Sequence, residues 1–180
     1  MQYIDNTIGK ADKEILASLK GDVLDAVLVT GHPLGTDADD ERTEFSRADV
    51  LLRTPSREVL LHLSERTNGD DLYALEITSN PPLSSVSSFS GEHDETGNEI
   101  PGWHEIPVGK TICDVQIHVD RKSCTVTKDG KDIPVMDTSV IALTFSESCL
   151  VMAKVAFMDN WRVIFQSSPQ PDIGGLLNTP

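Results

Sequence analysis

Between positions 139 and 166 the apolar residues fall into three runs of strand length. Val140, Ile141, Leu143 and Phe145 lead; Cys149, Leu150, Val151, Met152, Val155 and Phe157 follow; Trp161, Val163, Ile164 and Phe165 close. The polar breaks Ser146-Glu147-Ser148 and Met158-Asp159-Asn160 separate them, and the β-branched and aromatic weighting predicts a three-strand antiparallel meander. A similar pattern lies upstream. Runs at 48–54 and 59–65 flank Pro55-Ser56-Arg57-Glu58, where Pro55 presets the backbone of a four-residue turn, and Asn68-Gly69 turns the chain into a run at 72–78. Ahead of these, the run from 23 to 30 is apolar on both parities except at Asp25, which predicts a strand covered on both faces. Only one segment carries a convincing helical period. Ile8, Ala11, Ile15, Leu16 and Leu19 recur at helical spacing, with Thr7 as a candidate N-cap and Gly21 as the residue that ends the helix.

Shifting the chain by ninety positions lays the first set of runs on the second without a gap: 48–54 on 138–144, 59–63 on 149–153, and 73–77 on 163–167. Val27 and Val29 then fall on Ile117 and Val119. Identity along this register is sparse, so the match is one of pattern; it predicts two equivalent meanders, with coincident strand spacing as the alternative. The equivalence implies that Leu61 faces the core as Val151 does, and Tyr73 as Val163 does.

Three stretches break the pattern. Segment 31–47 has no apolar period and holds a dense acidic cluster, which predicts a solvated loop. Segment 79–102, rich in serine, glycine and acid, reads as the junction between units at 1–82 and 103–180, with 83–102 as the linker itself. The tail from 167 is rich in turn residues and reads as irregular, with Leu176-Leu177 able to dock. Asp129-Gly130 is the strongest hairpin signal, and Pro134 after it predicts an edge or short returning strand.

Composition narrows the function classes. A net charge of −14 on 180 residues repels phosphate backbones and anionic lipid, so direct nucleic-acid and membrane binding are not expected. No targeting segment or eighteen-residue apolar window is evident, and a cytoplasmic location is expected. Cys113, Cys124 and Cys149 are odd in number and lack C-x-x-C spacing, so each reads as a small, reduced, buried hydrophobe. The catalytic motif census is negative: no nucleophile elbow, P-loop, dinucleotide fingerprint or H-E-x-x-H occurs, and no catalytic residue or cofactor is assigned. Weak metal candidates are His93, Asp94, His104 and Glu105 around Trp103, and Asp37, Asp39 and Glu41 in the acidic segment. His62 lies on the opposite parity from Val59, Leu61 and Leu63 and reads as a partly exposed strand histidine.

These observations predict a mainly β, antiparallel sandwich or open barrel with one N-terminal helix. They favour a non-enzymatic acidic module that binds a basic protein partner. The alternatives are a small enzyme with a loop-built or metal-assisted site, and a structural subunit that pairs with itself as a homodimer or larger assembly through an exposed strand edge.

Overall fold

A computed structural model describes residues 3–30, 32–37, 42–46, 49–66, 72–82, 103–154 and 161–174. The described chain runs β1 (Ile4–Asn6), α1 (Lys10–Ala17), β2 (Val23–Val29), β3 (His32–Asp37), β4 (Arg42–Ser46), β5 (Val50–Arg53), β6 (Glu58–Glu65), β7 (Tyr73–Ser79), β8 (His104–Thr111), β9 (Asp114–Lys128), β10 (Lys131–Thr144), β11 (Cys149–Lys154) and β12 (Trp161–Gln166). Over the described residues the protein is mainly β with one helix, in two sheets that form no closed barrel.

One sheet has the order β7-β6-β5-β2-β8 and is antiparallel throughout. In the other, β9, β10, β11, β12, β4 and β3 follow one another. The short β1 joins β10 in parallel at Val135, Met136 and Asp137, before β11 takes over that edge at Val140. A single apolar cluster draws on both sheets: Val27, Leu52, Leu61 and Leu75 from the first meet Ile141, Leu150, Met152 and Trp161 from the second. Because strand side chains alternate, the opposite parity forms two smaller clusters on the other faces. Ala26, Leu28, Leu51 and Leu60 lie with Trp103, and Val140, Ala142, Val151 and Ile164 lie with Ile173 of the tail. The apolar runs without clean alternation are thus strands buried on both faces, as the run from 23 to 30 predicted.

The helix delivers Leu16 to the main cluster, the turn after it delivers Leu19, and the helix packs against β7 and β9. Its predicted stripe holds at Ile8, Ile15, Leu16 and Leu19, but Ala11 is exposed. The N-cap is Gly9, whose N–H donates to Asp12 Oδ2 at 3.2 Å, while Thr7 turns away to donate to Asp5 Oδ1. Gly21, at φ 92°, makes the left-handed exit that glycine favours, and its N–H donates to Ile112 O at 2.9 Å. Arg57, in the β5–β6 turn, closes the helix C-terminus by donating to Ser18 Oγ at 2.7 Å and to the Ser18 carbonyl, with Asp22 holding the guanidinium. A cation is favoured there because the unpaired carbonyls of a helix end carry partial negative charge.

The two meanders have the same strand order, β2-β5-β6-β7 in one sheet and β9-β10-β11-β12 in the other. The uniform ninety-residue register does not hold. Both central hairpins close through four-residue turns, Arg53 opposite Glu58 and Thr144 opposite Cys149, which sets their offset at 91 positions. The equivalent turn bonds, Thr54 N–H to Arg57 O and Phe145 N–H to Ser148 O, repeat that offset. Leu61 therefore corresponds to Met152, and both face the main cluster while Val151 faces the outer one, so the predicted Leu61–Val151 agreement is corrected by a one-residue slip. Tyr73 and Val163 do share a face.

Other readings change too. Segment 31–47 is not wholly irregular: β3 and β4 form a hairpin whose β4 pairs with β12, and 38–41 lies outside the described residues. β1 and β8 carry no strong apolar pattern and were not expected as strands. The Asp129-Gly130 turn forms with both residues at positive φ, but β10 is long rather than short. Pro134 is tolerated just before β1 joins at Val135, where its missing N–H removes no described pairing with β1. Cys149 is buried, Cys124 half-buried and Cys113 exposed, so the last departs from the buried reading. The junction 83–102 and Leu176-Leu177 lie outside the described residues, as does the Asn68-Gly69 turn.

Leu16 is fully buried in the main cluster, so Leu16→Ala should lower unfolding free energy by about 2–5 kcal/mol, and Leu16→Asp, which adds a buried charge, by more. Chemical denaturation checks this; an unchanged midpoint for both variants would place the helix stripe off the core.

Candidate functional site

Two polar clusters stand out from the apolar frame. The first lies at the edge where β7 of one sheet meets β1, β10 and β11 of the other. Lys154, last residue of β11, continues the inward parity of Leu150 and Met152, and its side chain is 2% exposed. An ammonium taken this far from water must be paired. Its Nζ lies 2.7 Å from Asp137 Oδ2 and 3.0 Å from Oδ1, and also donates to the Tyr73 carbonyl. Asn6 on β1 is the cross-strand partner of Asp137 and uses the same acceptors: its Nδ2 donates to Asp137 Oδ1 at 3.1 Å and to Tyr73 O at 2.9 Å. Arg66 completes the network by donating from Nη1 to Asn6 Oδ1 at 3.2 Å and to the Asp5 carbonyl at 3.3 Å. Next to it, Thr138 Oγ1 accepts from Ile8 N–H at 3.0 Å.

Burial raises the Asp137 carboxyl above its ordinary range, outweighing the opposing pull of Lys154, of Asn6 and of the Thr138 N–H. A folded-state value raised in this way favours folding most below the unfolded pKa of 3.8, and that contribution is lost as pH rises through the folded value. The ion pair is thus a costly element at neutral pH, only partly offset by the Lys154 charge and by its hydrogen bonds.

The second cluster lies on the outward parity of the first sheet. Asp49 is pinned at the start of β5, its N–H donating to Thr30 Oγ1 at 2.7 Å and its carbonyl accepting from Thr30 N–H at 3.0 Å. Its buried carboxylate meets His62 Nδ1 at 2.6 Å, while the imidazole is 43% exposed. The Asp49 hydrogen bond, followed by its charge and that of Glu76, raises the His62 pKa above 6.5 against the opposing effect of burial. In the neutral ring, a proton on Nδ1 facing Asp49 leaves Nε2 as the basic nitrogen, the arrangement of a general base. Ser64, two residues along the same face, commits its hydroxyl to Glu76 Oε1 at 2.6 Å and does not complete a nucleophile triad.

The metal candidates are not brought together by what is described. His104 and Glu105 are neighbours on β8 and so point to opposite faces; Glu105 accepts from Arg53 Nη1 at 3.3 Å. Asp37 lies on β3, with its side chain outside the described set, as are His93, Asp94, Asp39 and Glu41 altogether. Among the described residues no group of three or more His, Cys, Asp or Glu could hold a metal ion. Lys154, Asp137, Asn6 and Asp49 were not singled out from sequence. Lys154 had a signal, a lone cation inside the apolar run CLVMAKVAF, whereas Asn6 and Asp49 had none because their partners are distant in sequence.

Comparison of the chain with family models, with curated proteins and with solved structures finds no match.

The His62 shift fixes the sign of a pH effect. Its raised folded pKa contributes stability that is fully present below about pH 6.5 and is lost as pH rises through the folded value. Asp49→Asn should flatten that part of the profile, seen as melting temperatures measured from about pH 5.5 to about pH 8.5. A variant profile parallel to that of the native chain over this window would show that the pair does not titrate with folding.

Proposed function

We propose that the protein is a non-enzymatic acidic interaction module whose partner is a basic protein. The observation that carries this reading is how the cations are used. Lys20 pairs with Asp114, Arg53 with Glu58 and Glu105, Arg57 with Asp22, and Lys154 with Asp137, so these four of the fifteen lysines and arginines are already engaged within the fold. The carboxylate excess behind the net charge of −14 is left to set the external field. Such a field attracts and orients a cationic surface, accelerating encounter more than it deepens affinity. The same field disfavours nucleic acid and anionic lipid as partners.

Capture from native extract, followed by binding kinetics with the purified partner, tests the reading. The expected partner has a basic isoelectric point, and its association rate falls at least tenfold as salt rises from about 0.1 M to about 1 M, where the screening length shrinks from about 10 Å to about 3 Å. A partner of neutral or acidic charge, or an association rate indifferent to salt, would overturn it. Light scattering showing stable self-association with no heterologous partner would favour a self-assembling subunit instead.

A further inference from the structure

The Lys154, Asp137 and Asn6 cluster contains every group needed for an amide-forming reaction, and we propose that it joins the Lys154 side chain to the Asn6 side chain through an intramolecular isopeptide bond. The geometry carries the proposal. Lys154 Nζ and Asn6 Nδ2 share two acceptors, Asp137 Oδ1 and the Tyr73 carbonyl, so the amine and the carboxamide are held side by side. Asn6 Nδ2 has two acceptors and Oδ1 faces the Arg66 donor, so the network fixes the orientation of the amide. Lys154, Asp137 and Asn6 are all buried, and Trp161 is the cross-strand neighbour of Lys154 in the main apolar cluster. Holding the reactants in place in a site shielded from water removes much of the barrier that makes amide exchange slow in solution.

The step balances within these residues. Asp137 takes a proton from Lys154 Nζ across 2.7 Å, giving a neutral amine and a neutral carboxylic acid. The Nζ lone pair attacks Asn6 Cγ and forms the new C–N bond; the charge that develops on Asn6 Oδ1 faces Arg66 Nη1, the donor already at 3.2 Å. Asp137 relays the proton given up by Nζ to Nδ2, the Cγ–Nδ2 bond breaks, and ammonia leaves. The products are a secondary amide, ammonia and a neutral Asp137, with no oxidant, metal or cofactor consumed. A buried ammonium and a buried carboxylate are both eliminated, so the product suits the apolar surroundings better than the reactants do. The bond would tie β1, near the N-terminus, to β11 near the C-terminus and close most of the chain into one covalent loop.

Mass spectrometry of the purified full chain tests this. The intact mass should fall short of the sequence by one ammonia, and trypsin should release residues 1–10 linked to residues 132–162, with Lys154 uncut. Lys154→Arg and Asn6→Ala should each restore the sequence mass. Asp137→Asn should leave the bond unformed or slow its formation at least tenfold in freshly refolded protein. The native chain alone decides the matter even where a variant fails to fold. An unreduced mass in folded native protein overturns the proposal, as does an ammonia loss that maps elsewhere, such as succinimide formation at Asn68-Gly69. Loss of one water, with Lys154 linked to Asp137, overturns the choice of Asn6 as acceptor.

Discussion

The placement of Lys154 constrains the architecture more than any apolar contact does. A leucine at the end of β11 could be satisfied by any apolar neighbour, but an ammonium 2% exposed needs acceptors of defined position. Those acceptors come from two strands, and a third holds them in place. Asp137 stands on β10, the Tyr73 carbonyl belongs to β7 in the opposite sheet, and Asn6 on β1 orders the carboxylate between them. Removing any one strips a buried polar group of part of its pairing, so the cluster fixes how the edge of one sheet sits on the other and why the N-terminal strand joins β10 where it does. Apolar packing supplies most of the driving force for the sandwich, and this polar seam specifies one arrangement of it.

The two meanders show how strand order can persist while register drifts. The offset is 91 positions for both strands of the central hairpins, because a four-residue turn fixes each. For β2 against β9 it is 88: Leu24, Val27 and Val29 enter the main cluster from one sheet, as Ile112, Val115 and Ile117 do from the other side. The three-residue difference is absorbed between these strands, where the first half sends the β3–β4 hairpin across so that β4 pairs with β12, and the second half extends β9 and β10 into a long arm. β8 crosses in the other sense, following the second half's entry yet pairing with β2. Each sheet therefore contains strands from both sides of the 83–102 segment, and the halves are interleaved rather than merely stacked.

Much of the fold was legible because burial writes itself as hydrophobic runs. The runs at 140–145, 149–152 and 161–165 became β10, β11 and β12, and Pro55 and Asp129-Gly130 marked true turns. The missed elements are those whose pairing depends on distant backbone rather than on their own side chains. β1 and β8 are short or exposed, and β4 pairs with a strand more than a hundred positions away, so no local period could reveal them. The ninety-residue register failed at Leu61 for a related reason. With apolar residues on both parities of a strand covered on two sides, a one-residue slip leaves the run apolar and so leaves no trace in the pattern. The polar clusters were less legible still. His62 could be seen as a half-exposed strand histidine, but its partner Asp49 lies on the neighbouring strand, and Asn6 and Asp137 are 131 positions apart.

Charge does two separate kinds of work in this chain, and the difference decides what each can contribute. The pairs Lys10–Glu14 and Lys20–Asp114 are solvent-exposed and screened, so they neither hold the fold nor cost it much. Their effect is to quench local cations and leave the carboxylate excess uncompensated at long range. Inside the sandwich the balance is reversed. Desolvation there is large enough to raise the Asp137 carboxyl even with Lys154 beside it, so a group that reads as one half of a salt bridge is held above the ordinary carboxylate range. The surface charges thus set the long-range field, whereas the buried pair sets the local polarity of the seam, and a sequence count of acids and bases cannot separate the two.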